Sequence, residues 1–268
     1  MNLTLELLYG RKSVRAYEDR PVGPEARDAI LKAAMRAPTA GGLMLYSIIE
    51  VDGPQAKARL AVTCDHQPFI ATAPMVLLFL ADYQRWYDYL LACGVEEYCQ
   101  RRGVAMRGPE EGDLFLACCD ALIAAQTAVI AAKSLGIDSL LTNGVHRGDM
   151  ERLWVKLGLP RQYCFPLIAL VLGYAAKEPP YLKGRLSGPG VVHDETFHNL
   201  TGEEADAIVR QYDDKTLHLG LNEDWDQKGH KHYLDWLHKE WLGRNRKPGE
   251  TQILARLRQA GFVESAGK

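Results

Sequence analysis

The sequence lacks several features that mark large classes of protein. Its formal net charge of −2 and its pI near 6.5 give no extended positive field for binding nucleic acid, so any anion must be bound by a local cluster. No uninterrupted apolar run approaches the roughly eighteen residues that a membrane span needs. The first residues carry no basic region followed by a cleavage pattern. We therefore expect a cytoplasmic protein without a nucleic-acid or membrane partner.

The cysteines and histidines also form no recognisable redox or metal-binding motif. The six cysteines contain no Cys-x-x-Cys pair, so we expect reduced thiols, with Cys118 and Cys119 serving as small apolar residues of a helix. The eight histidines form no His-Glu-x-x-His pattern and lie among Lys and Asp residues, as on a solvated face. No metal site is predicted.

Hydrophobic periodicity predicts intermixed strands and helices. Strands are predicted at Tyr46–Val51, Met75–Ala81, Ser139–Leu141 and Leu167–Leu172. Helices are predicted at Pro24–Arg36, Asp113–Leu135, Asp149–Leu157, Thr201–Leu217, His230–Leu242 and Thr251–Ala260, with Pro248 between the last two. Strands and helices do not alternate regularly, and the Gly41-Gly42 pair follows a helix rather than a strand. The pattern therefore favours an α+β fold over a doubly wound dinucleotide-binding fold.

Three segments carry further expectations about packing. The continuous apolar strand Met75–Ala81 should be covered on both faces. The helix Asp113–Leu135 is apolar or small nearly all round, so it should be buried on most sides, within the chain or against a second subunit. Asp120 and Gln126 interrupt that helix, and we interpret both as satisfied structural hydrogen-bonding groups. The segment from Asp82 to Gly112 is interpreted as a polar excursion in which Trp86, Tyr87 and Tyr89 pack rather than bind.

Aromatic residues also recur at helical spacing near the C-terminal end. The helix predicted there is interpreted as carrying a packing stripe, within the chain or across a subunit boundary, formed by Tyr233, Trp236, Leu237 and Trp241.

A cationic segment near the start of the chain suggests an anion site. Arg11-Lys12-Ser13-Val14-Arg15 places three cations and a hydroxyl in five residues. In an extended segment Arg11, Ser13 and Arg15 share one direction, because side chains alternate faces. Two guanidiniums and a hydroxyl can hold a phosphate dianion through charge-assisted hydrogen bonds. Taken alone, a solvated basic turn explains the segment equally well.

Four later segments favour the anion site over the solvated turn. They are Ala37-Pro38-Thr39-Ala40-Gly41, His66-Gln67-Pro68-Phe69, Thr142-Asn143-Gly144-Val145 and Leu182-Lys183-Gly184-Arg185-Leu186. In this order, with the opening RKSVRAY…PV followed by AAMRAPTAGG, the chain resembles the nitroreductase family of flavoproteins. The resemblance is to the branch of oxygen-insensitive NADPH nitroreductases and NADPH–flavin oxidoreductases, and it extends from about Leu5 to Tyr212.

The resemblance implies an FMN site and a role for each matching residue. Arg11, Ser13 and Arg15 would hold the phosphate, joined by Lys183 and Arg185, and Lys12 would lie near the edge of the flavin ring. The polyol and ring would be contacted by Thr39, Gln67, Asn143 and Gly144. The family's activity is NAD(P)H-dependent two-electron reduction of nitroaromatic, quinone or flavin acceptors in a ping-pong scheme, with no catalytic side chain required.

The resemblance also implies a quaternary structure and a domain organisation. Residues 1–268 would form a single nitroreductase-like domain with a central, mostly antiparallel sheet, and residues 200–268 would be a helical C-terminal extension. Two chains would form an intertwined homodimer with FMN at the interface. Two other functions stay open: a flavin reductase that releases reduced FMN to a partner, and a flavin-binding store or sensor with low turnover.

Some positions depart from the family pattern. Gly42 and Met44 stand where many members carry amide side chains, and Asn143 stands where the branch has glycine. The loop that follows the Thr201–Leu217 helix reads Gly220-Leu-Asn-Glu-Asp-Trp-Asp226, which is acidic where the 2′-phosphate of NADPH needs a cation. Lys228, His230 and Lys231 could compensate, so the choice between NADH and NADPH stays open.

Overall fold

The structure, a computed structural model, describes residues 2–243 and 252–263. The chain divides into two compact units, one of residues 1–178 with 250–268 and one of residues 179–249. The first unit contains the sheet and the second contains the segment with Lys183 and Arg185. Each unit is described by itself below.

The first unit is built from four strands and nine α-helices within its described residues. The strands are β1 (Tyr46–Glu50), β2 (Met75–Asp82), β3 (Asp138–Thr142) and β4 (Cys164–Gly173). The helices are α1 (Leu3–Gly10), α2 (Pro24–Met35), α3 (Pro54–Thr63), α4 (Phe69–Thr72), α5 (Gln84–Ala92), α6 (Val95–Arg101), α7 (Glu111–Ser134), α8 (Met150–Leu157) and α11 (Gln252–Gln259). Short 3₁₀ turns lie at Ala40–Gly42 and Gly144–His146.

All pairs of neighbouring strands in the sheet are antiparallel, in the order β1-β2-β4-β3. Ile48 of β1 lies opposite Phe79 of β2, and Leu140 of β3 lies opposite Val171 of β4. The four predicted strands are confirmed, with β4 beginning three residues earlier than predicted, at Cys164. The α+β fold class is confirmed as well.

Strand β2 is buried along its whole length, which confirms the expectation that both of its faces are covered. Its side chains alternate between two separate cores, as the two-residue period of a strand requires. Val76, Leu78 and Leu80 belong to a core that also contains residues of α3, α4 and α8. Met75, Leu77 and Phe79 belong to a second core, shared with α2 and α7. The sheet is therefore the middle layer of three.

Helix α7 packs on the sheet and on α2 through a row of small residues. Its buried positions include Ala121, Ala124, Ala125, Ala128 and Ala132, whose short side chains let the helix approach the strands closely. A capping box of Glu110 and Asp113 begins the helix. Lys133 near its end donates to Asp138 at the start of β3, at 2.7 Å.

In the single chain α7 is buried on one side only, so burial of its other side against a second subunit stays a prediction. Phe115 is 70% exposed, and Leu116, Leu122 and Ile123 are exposed as well. Gln126 is exposed, and its amide forms no hydrogen bond with the residues that the structure describes, so its interpretation as a satisfied structural group is not confirmed in the single chain. By its length and mean hydropathy α7 could cross a membrane. The expectation that no segment approaches a membrane span is therefore wrong by this criterion. The core helices of soluble proteins meet the same criterion.

The excursion between β2 and α7 contains regular structure that periodicity did not predict. Helices α5 and α6 occupy most of it, joined by Gly94 in the left-handed region. The aromatic residues pack as expected: Trp86 meets Tyr89 edge to face, and Tyr87 lies 5.0 Å from Tyr163 between ring centroids. Helices α1, α3 and α4 were also unpredicted.

The second unit contains α9 (Gly202–Asp213), a 3₁₀ turn at Lys215–Leu217 and α10 (Tyr233–Trp236), which continues as a π-helical segment, Leu237–Leu242. Thr201 and Glu204 form the predicted capping box. The predicted helices Thr201–Leu217 and His230–Leu242 are thus shorter than expected at one end.

The packing stripe predicted near the C-terminal end is confirmed in part. Tyr233 and Trp236 are buried with Trp225 in a small third core, and Leu237 packs against it. Trp241 is 43% exposed in the single chain, so its packing across a subunit boundary stays a prediction. Helix α11, in the first unit, matches the predicted Thr251–Ala260 helix, while Thr251 and Pro248 lie outside the described residues.

Candidate functional site

The cationic segment of residues 11–15 is extended and lies against the edge strand of the sheet. Ser13 forms a bridge with Ser139 of β3, and the Val14 amide donates to the Ser139 carbonyl at 3.2 Å. Val14 is buried at 1% exposure, whereas Arg15 is exposed. This alternation agrees with the geometry predicted for the segment.

Neighbouring contacts hold this segment in place. Tyr17 donates its hydroxyl to the Val14 carbonyl at 2.8 Å, and Lys12 pairs with Glu178 at 3.2 Å. Burial raises the pKa of the Tyr17 phenol, the charge of Asp138 adds to this, and Arg15 opposes it. The phenol therefore stays a neutral donor. Arg15 itself forms no hydrogen bond or ion pair with any residue that the structure describes.

Thr39 lies in the connection between α2 and β1, and its hydroxyl is engaged inside the protein. It donates to Asp120 of α7 at 2.5 Å and accepts from the Met44 amide at 2.8 Å. Asp120 also accepts from the amides of Ala40 and Leu45. The interpretation of Asp120 as a satisfied structural group is confirmed, and Thr39 is its partner.

Gln67 and the segment Asn143–Gly144 come together although they are far apart in the sequence. The Gln67 amide nitrogen donates to the Cys64 carbonyl at 2.7 Å and to the Thr142 hydroxyl at 3.4 Å. Thr142 in turn accepts from the Gly144 amide at 3.1 Å. Residues from two of the segments singled out in the sequence are thus linked through Thr142, which ends β3.

The turn before Gln67 is strained. Asp65 and His66 both adopt the left-handed region, at φ 66° and 53°, which is uncommon for residues other than glycine. Asp65 is paired with Arg147 at 2.8 Å, which joins the turn to the segment after Gly144. A Cβ at Gly144 would lie 3.1 Å from the Cα of Cys64, so glycine is needed there for this packing.

His146 completes the 3₁₀ turn that follows Asn143. Its Nε2 lies 2.7 Å from the Pro166 carbonyl of β4, and its ring lies near that of Phe165. Burial lowers the pKa of His146, and the bond to Pro166 partly offsets this effect. The side chain is consistent with a neutral imidazole that fixes the turn to the sheet.

Lys183 and Arg185 belong to the second unit and are held by main-chain carbonyls. Lys183 donates to the Gly220 carbonyl at 2.6 Å, and Arg185 donates to the Gly184 carbonyl at 2.7 Å. A Cβ at Gly184 would lie only 2.0 Å from the Leu217 carbonyl oxygen, so glycine permits the close contact of these two segments.

The acidic loop of the second unit carries internal partners. His218 lies 2.8 Å from Glu223, and its ring stacks on Tyr181 with centroids 3.6 Å apart. Lys215 donates to Asp226 at 2.7 Å. The hydrogen bond from His218 is the main cause that lowers the pKa of Glu223, and that from Lys215 lowers the pKa of Asp226.

No group of three or more His, Cys, Asp and Glu side chains with metal-binding geometry occurs within residues 2–243 and 252–263.

Two contacts to the connection after α2 were not predicted from the sequence. Trp86 donates to the Leu43 carbonyl at 2.6 Å, and the Arg85 guanidinium donates to the Met44 carbonyl. Their position just after an apolar strand was visible, but their partners were not.

The protein therefore has an α+β fold, and its cationic segment lies beside β3 at the edge of the sheet. The profile of the Nitroreductase family matches residues 8–174. This is more than half of the chain, so the chain belongs to the nitroreductase family, as the resemblance implied.

Individual relatives agree with this assignment. The chain is 32% identical to an FMN reductase [NAD(P)H] of Bacillus subtilis over 80% of its length and 82% of the relative's. It is 30% identical to an oxygen-insensitive NADPH nitroreductase of Salmonella typhimurium, covering 80% of this chain and 81% of the relative. Among solved structures, a hypothetical oxidoreductase of Bacillus subtilis has a TM-score of 0.78 at 28% identity, covering 98% and 99% of the two chains.

Proposed function

We propose that this member of the nitroreductase family is an FMN-dependent oxidoreductase that takes electrons from NAD(P)H. Its acceptors are small molecules of the nitroaromatic, quinone or flavin class, which receive two electrons. The relatives named FMN reductase [NAD(P)H] and oxygen-insensitive NADPH nitroreductase support this assignment. The observation that carries it is the extended cationic segment paired with β3, in which Arg15 has no partner among the described residues.

The chemistry of this segment fits the phosphate of FMN. A phosphate dianion requires cations and hydrogen-bond donors at one place, and Arg11, Ser13 and Arg15 supply two guanidiniums and a hydroxyl. Val14 anchors the segment in the core, so the donors are held on a fixed backbone. On the resemblance alone, Lys183 and Arg185 are also assigned to FMN.

Other residues are assigned to the polyol and the ring on the resemblance and on their hydrogen bonds. The nitrogen of the Gln67 amide is engaged by Cys64 and Thr142, which leaves its oxygen to accept from a hydroxyl of the polyol. Asn143 and Gly144 supply main-chain groups beside the ring. Lys12 lies near the ring edge, where its charge favours the anionic form of the reduced flavin.

Bound FMN supplies the redox chemistry, since it accepts a hydride from reduced nicotinamide and passes two electrons to a second acceptor. The side chains of the protein bind and orient. This division of labour agrees with the site, where the buried Asp120 and the neutral His146 are engaged in structural hydrogen bonds. Asp120 therefore needs no role as an acid or a base.

The nucleotide site admits both NADH and NADPH. Lys215 pairs with the carboxylate of Asp226, which reduces the negative charge that the acidic loop presents to a 2′-phosphate, and Glu223 is engaged in a hydrogen bond with His218. The relative named FMN reductase [NAD(P)H] supports dual use.

Two chains form a homodimer. The exposed apolar side of α7 supports this proposal, because an exposed apolar surface of this kind marks an interaction site.

The whole of residues 1–268 acts as one nitroreductase-like domain, with residues 200–268 as a helical extension. The solved structure that aligns with 98% of the chain supports this domain organisation. We place the enzyme in the cytoplasm, as expected from the sequence.

The test is the visible spectrum of the purified protein during anaerobic addition of NADH or NADPH. A yellow protein that bleaches rapidly and recovers its colour with a nitroarene or quinone supports the proposal. A yellow protein that neither nucleotide bleaches contradicts it and favours a flavin store or sensor. A colourless protein that FMN does not reconstitute contradicts flavin binding altogether.

A flavin reductase that releases its product is the second candidate, favoured by the relative named FMN reductase [NAD(P)H]. Gel filtration of the reduced protein under anaerobic conditions separates the two functions. Flavin that elutes with the protein supports the nitroreductase activity, whereas flavin that elutes in the small-molecule volume after reduction supports release.

A further inference from the structure

The connection of residues 39–45, here called the 39–45 loop, is held by a single buried carboxylate. Asp120, 2% exposed, accepts from the Thr39 hydroxyl at 2.5 Å, from the Ala40 amide at 3.0 Å and from the Leu45 amide at 3.1 Å. These three donors lie at the two ends of the loop. One side chain of α7 therefore fixes the separation between the end of α2 and the start of β1.

The backbone of the loop cannot adopt its shape without such support. Gly41, Gly42 and Met44 all have positive φ, and Met44 at 52° is not a glycine. A residue with a Cβ in this region costs on the order of 1–2 kcal/mol. The Met44 amide donates to the Thr39 hydroxyl, so the bond that Asp120 makes with Thr39 also orients the acceptor that holds Met44.

A second helix fixes the other side of the loop. Trp86 of α5 donates to the Leu43 carbonyl, and Arg85 donates to the Met44 carbonyl. The loop is therefore bound through its amides to α7 and through its carbonyls to α5. This arrangement defines one conformation of a glycine-rich segment that would otherwise sample many.

The hydroxyl of Thr39 both donates and accepts a hydrogen bond within this network. It has one proton, which it donates to Asp120, and it accepts from Met44. It has no proton left for a ligand. A contact between Thr39 and flavin must therefore use the main chain, the methyl group or the second lone pair of the hydroxyl as an acceptor.

We propose that Asp120 is a positioning residue of the FMN site, which sets the shape of the 39–45 loop through Thr39 so that the loop contacts flavin. This inference rests on the proposed function and on the family resemblance, which assigns Thr39 of this loop to the flavin. Asp120 itself does not touch the cofactor.

The substitution Asp120→Asn tests the role of the carboxylate with little change in shape. An amide offers one acceptor oxygen, and its NH₂ group opposes one of the three donors. We expect FMN to bind about tenfold more weakly to the full-length variant, the effect of leaving one buried donor unsatisfied. The dissociation constant is measured by quenching of flavin fluorescence, at a temperature where circular dichroism shows every variant to be folded.

Variants of Thr39 distinguish positioning from direct contact. Thr39→Val removes the hydroxyl and Thr39→Ser retains it. Because Asp120 acts through Thr39, the double variant Thr39→Val/Asp120→Asn should bind FMN within about twofold of the weaker single variant. Thr39→Ser should bind FMN within about twofold of the wild type, because it retains the hydrogen bond of about 1 kcal/mol. The visible circular dichroism of bound flavin should change in Asp120→Asn at saturation.

Asp113→Asn is the matched control. It makes the same chemical change on the same helix, at a carboxylate that accepts from the Glu110 amide and has no bond to the 39–45 loop. It should lower stability and leave FMN affinity and the flavin spectrum unchanged. Wild-type affinity in Asp120→Asn, or additive losses in the double variant, would overturn the positioning role alone. Failure of the wild type to bind FMN would overturn the proposed function, and the positioning role with it.

Discussion

Individual glycines show how closely the first unit is packed around the candidate site. A Cβ at Gly148 would lie 2.6 Å from both the Cα and the carbonyl oxygen of Thr63. Those atoms belong to the backbone of α3 and cannot rotate away. The segment between Asn143 and α8 is therefore held against α3 by the absence of one side chain.

Gly148→Ala should destabilise the protein by roughly 1–3 kcal/mol, the usual cost of overpacking. Gly112→Ala is the control, because Gly112 lies in the first turn of α7 with no atom within 4 Å of its Cβ position. Alanine is the better helix former, so this variant should be neutral or more stable by up to about 1 kcal/mol. Urea unfolding measures both. Equal stability of the two variants would contradict the packing described for Gly148.

Arg15→Ala tests the assignment of the phosphate site. Loss of a hydrogen bond to a charged group should weaken FMN affinity by roughly 1.5–3 kcal/mol. Arg152→Ala on α8 removes an exposed cation that is not assigned to the site, so FMN should bind that variant as it binds the wild type. An unchanged affinity in Arg15→Ala would show that the phosphate lies elsewhere.

The thiols should differ in reactivity according to burial. Desolvation raises the pKa of Cys64 to about 12 and that of Cys118 to about 11, so both stay protonated at pH 8. The thiolate is the reactive form, and Cys93 is exposed. Iodoacetamide at pH 8, followed by peptide mass spectrometry, should label Cys93 long before Cys64. Rapid labelling of Cys64 in the native protein would contradict its burial.

Whole elements were predictable where one pattern governed a long segment. The uninterrupted apolar run of β2 predicted burial on both faces, and the small and apolar residues from Asp113 onward predicted α7. Helices α5 and α6 were missed because both are short and neither contains a fully buried residue. Short or exposed helices are stabilised by local hydrogen bonds and neighbours that a periodicity analysis does not record.

The small residues of α7 lead to a prediction about its packing. Ala125 is fully buried between the sheet and α2, so Ala125→Leu should cost roughly 1–3 kcal/mol through overpacking. Lys156→Leu on α8 places a leucine at an exposed position outside α7 and should change stability by less than about 0.5 kcal/mol. Both are compared by urea unfolding at one protein concentration. A tolerated Ala125→Leu would mean that the helix can move away from the sheet.

At the scale of the whole molecule, the exposed apolar side of α7 should be an interface between two copies of the chain. Leu122→Glu/Ile123→Glu places two charges on that side, and burying unpaired charges is strongly unfavourable. Sedimentation equilibrium should give twice the chain mass of 29.9 kDa for the wild type and a value near 29.9 kDa for the variant.

Val155→Glu on α8 is the control for this experiment, because Val155 is an exposed apolar residue away from α7. This variant should have the mass of a dimer. A wild-type protein that sediments as a single chain at all concentrations would contradict the homodimer.

The arrangement of the candidate site was predictable only in part. Alternation predicted a common direction for Arg11, Ser13 and Arg15, because it depends on five consecutive residues, and the buried Val14 beside the exposed Arg15 agrees with it. The link between Gln67 and Thr142 joins residues 75 positions apart. The partners of Asp120 are equally distant, and the left-handed turn at Asp65 and His66 uses residue types that give no signal. Long-range contacts of this kind arise from the fold, and local sequence does not specify them.

Helix α7 has a further consequence through Asp120. Its mean hydropathy of 2.0 over eighteen residues is that of a segment able to enter a lipid bilayer. A carboxylate near the centre of such a segment opposes insertion by about 2.5–3.5 kcal/mol on the scale measured for helices leaving the translocon. The side chain that fixes the 39–45 loop in the folded protein therefore also opposes insertion of this helix into lipid.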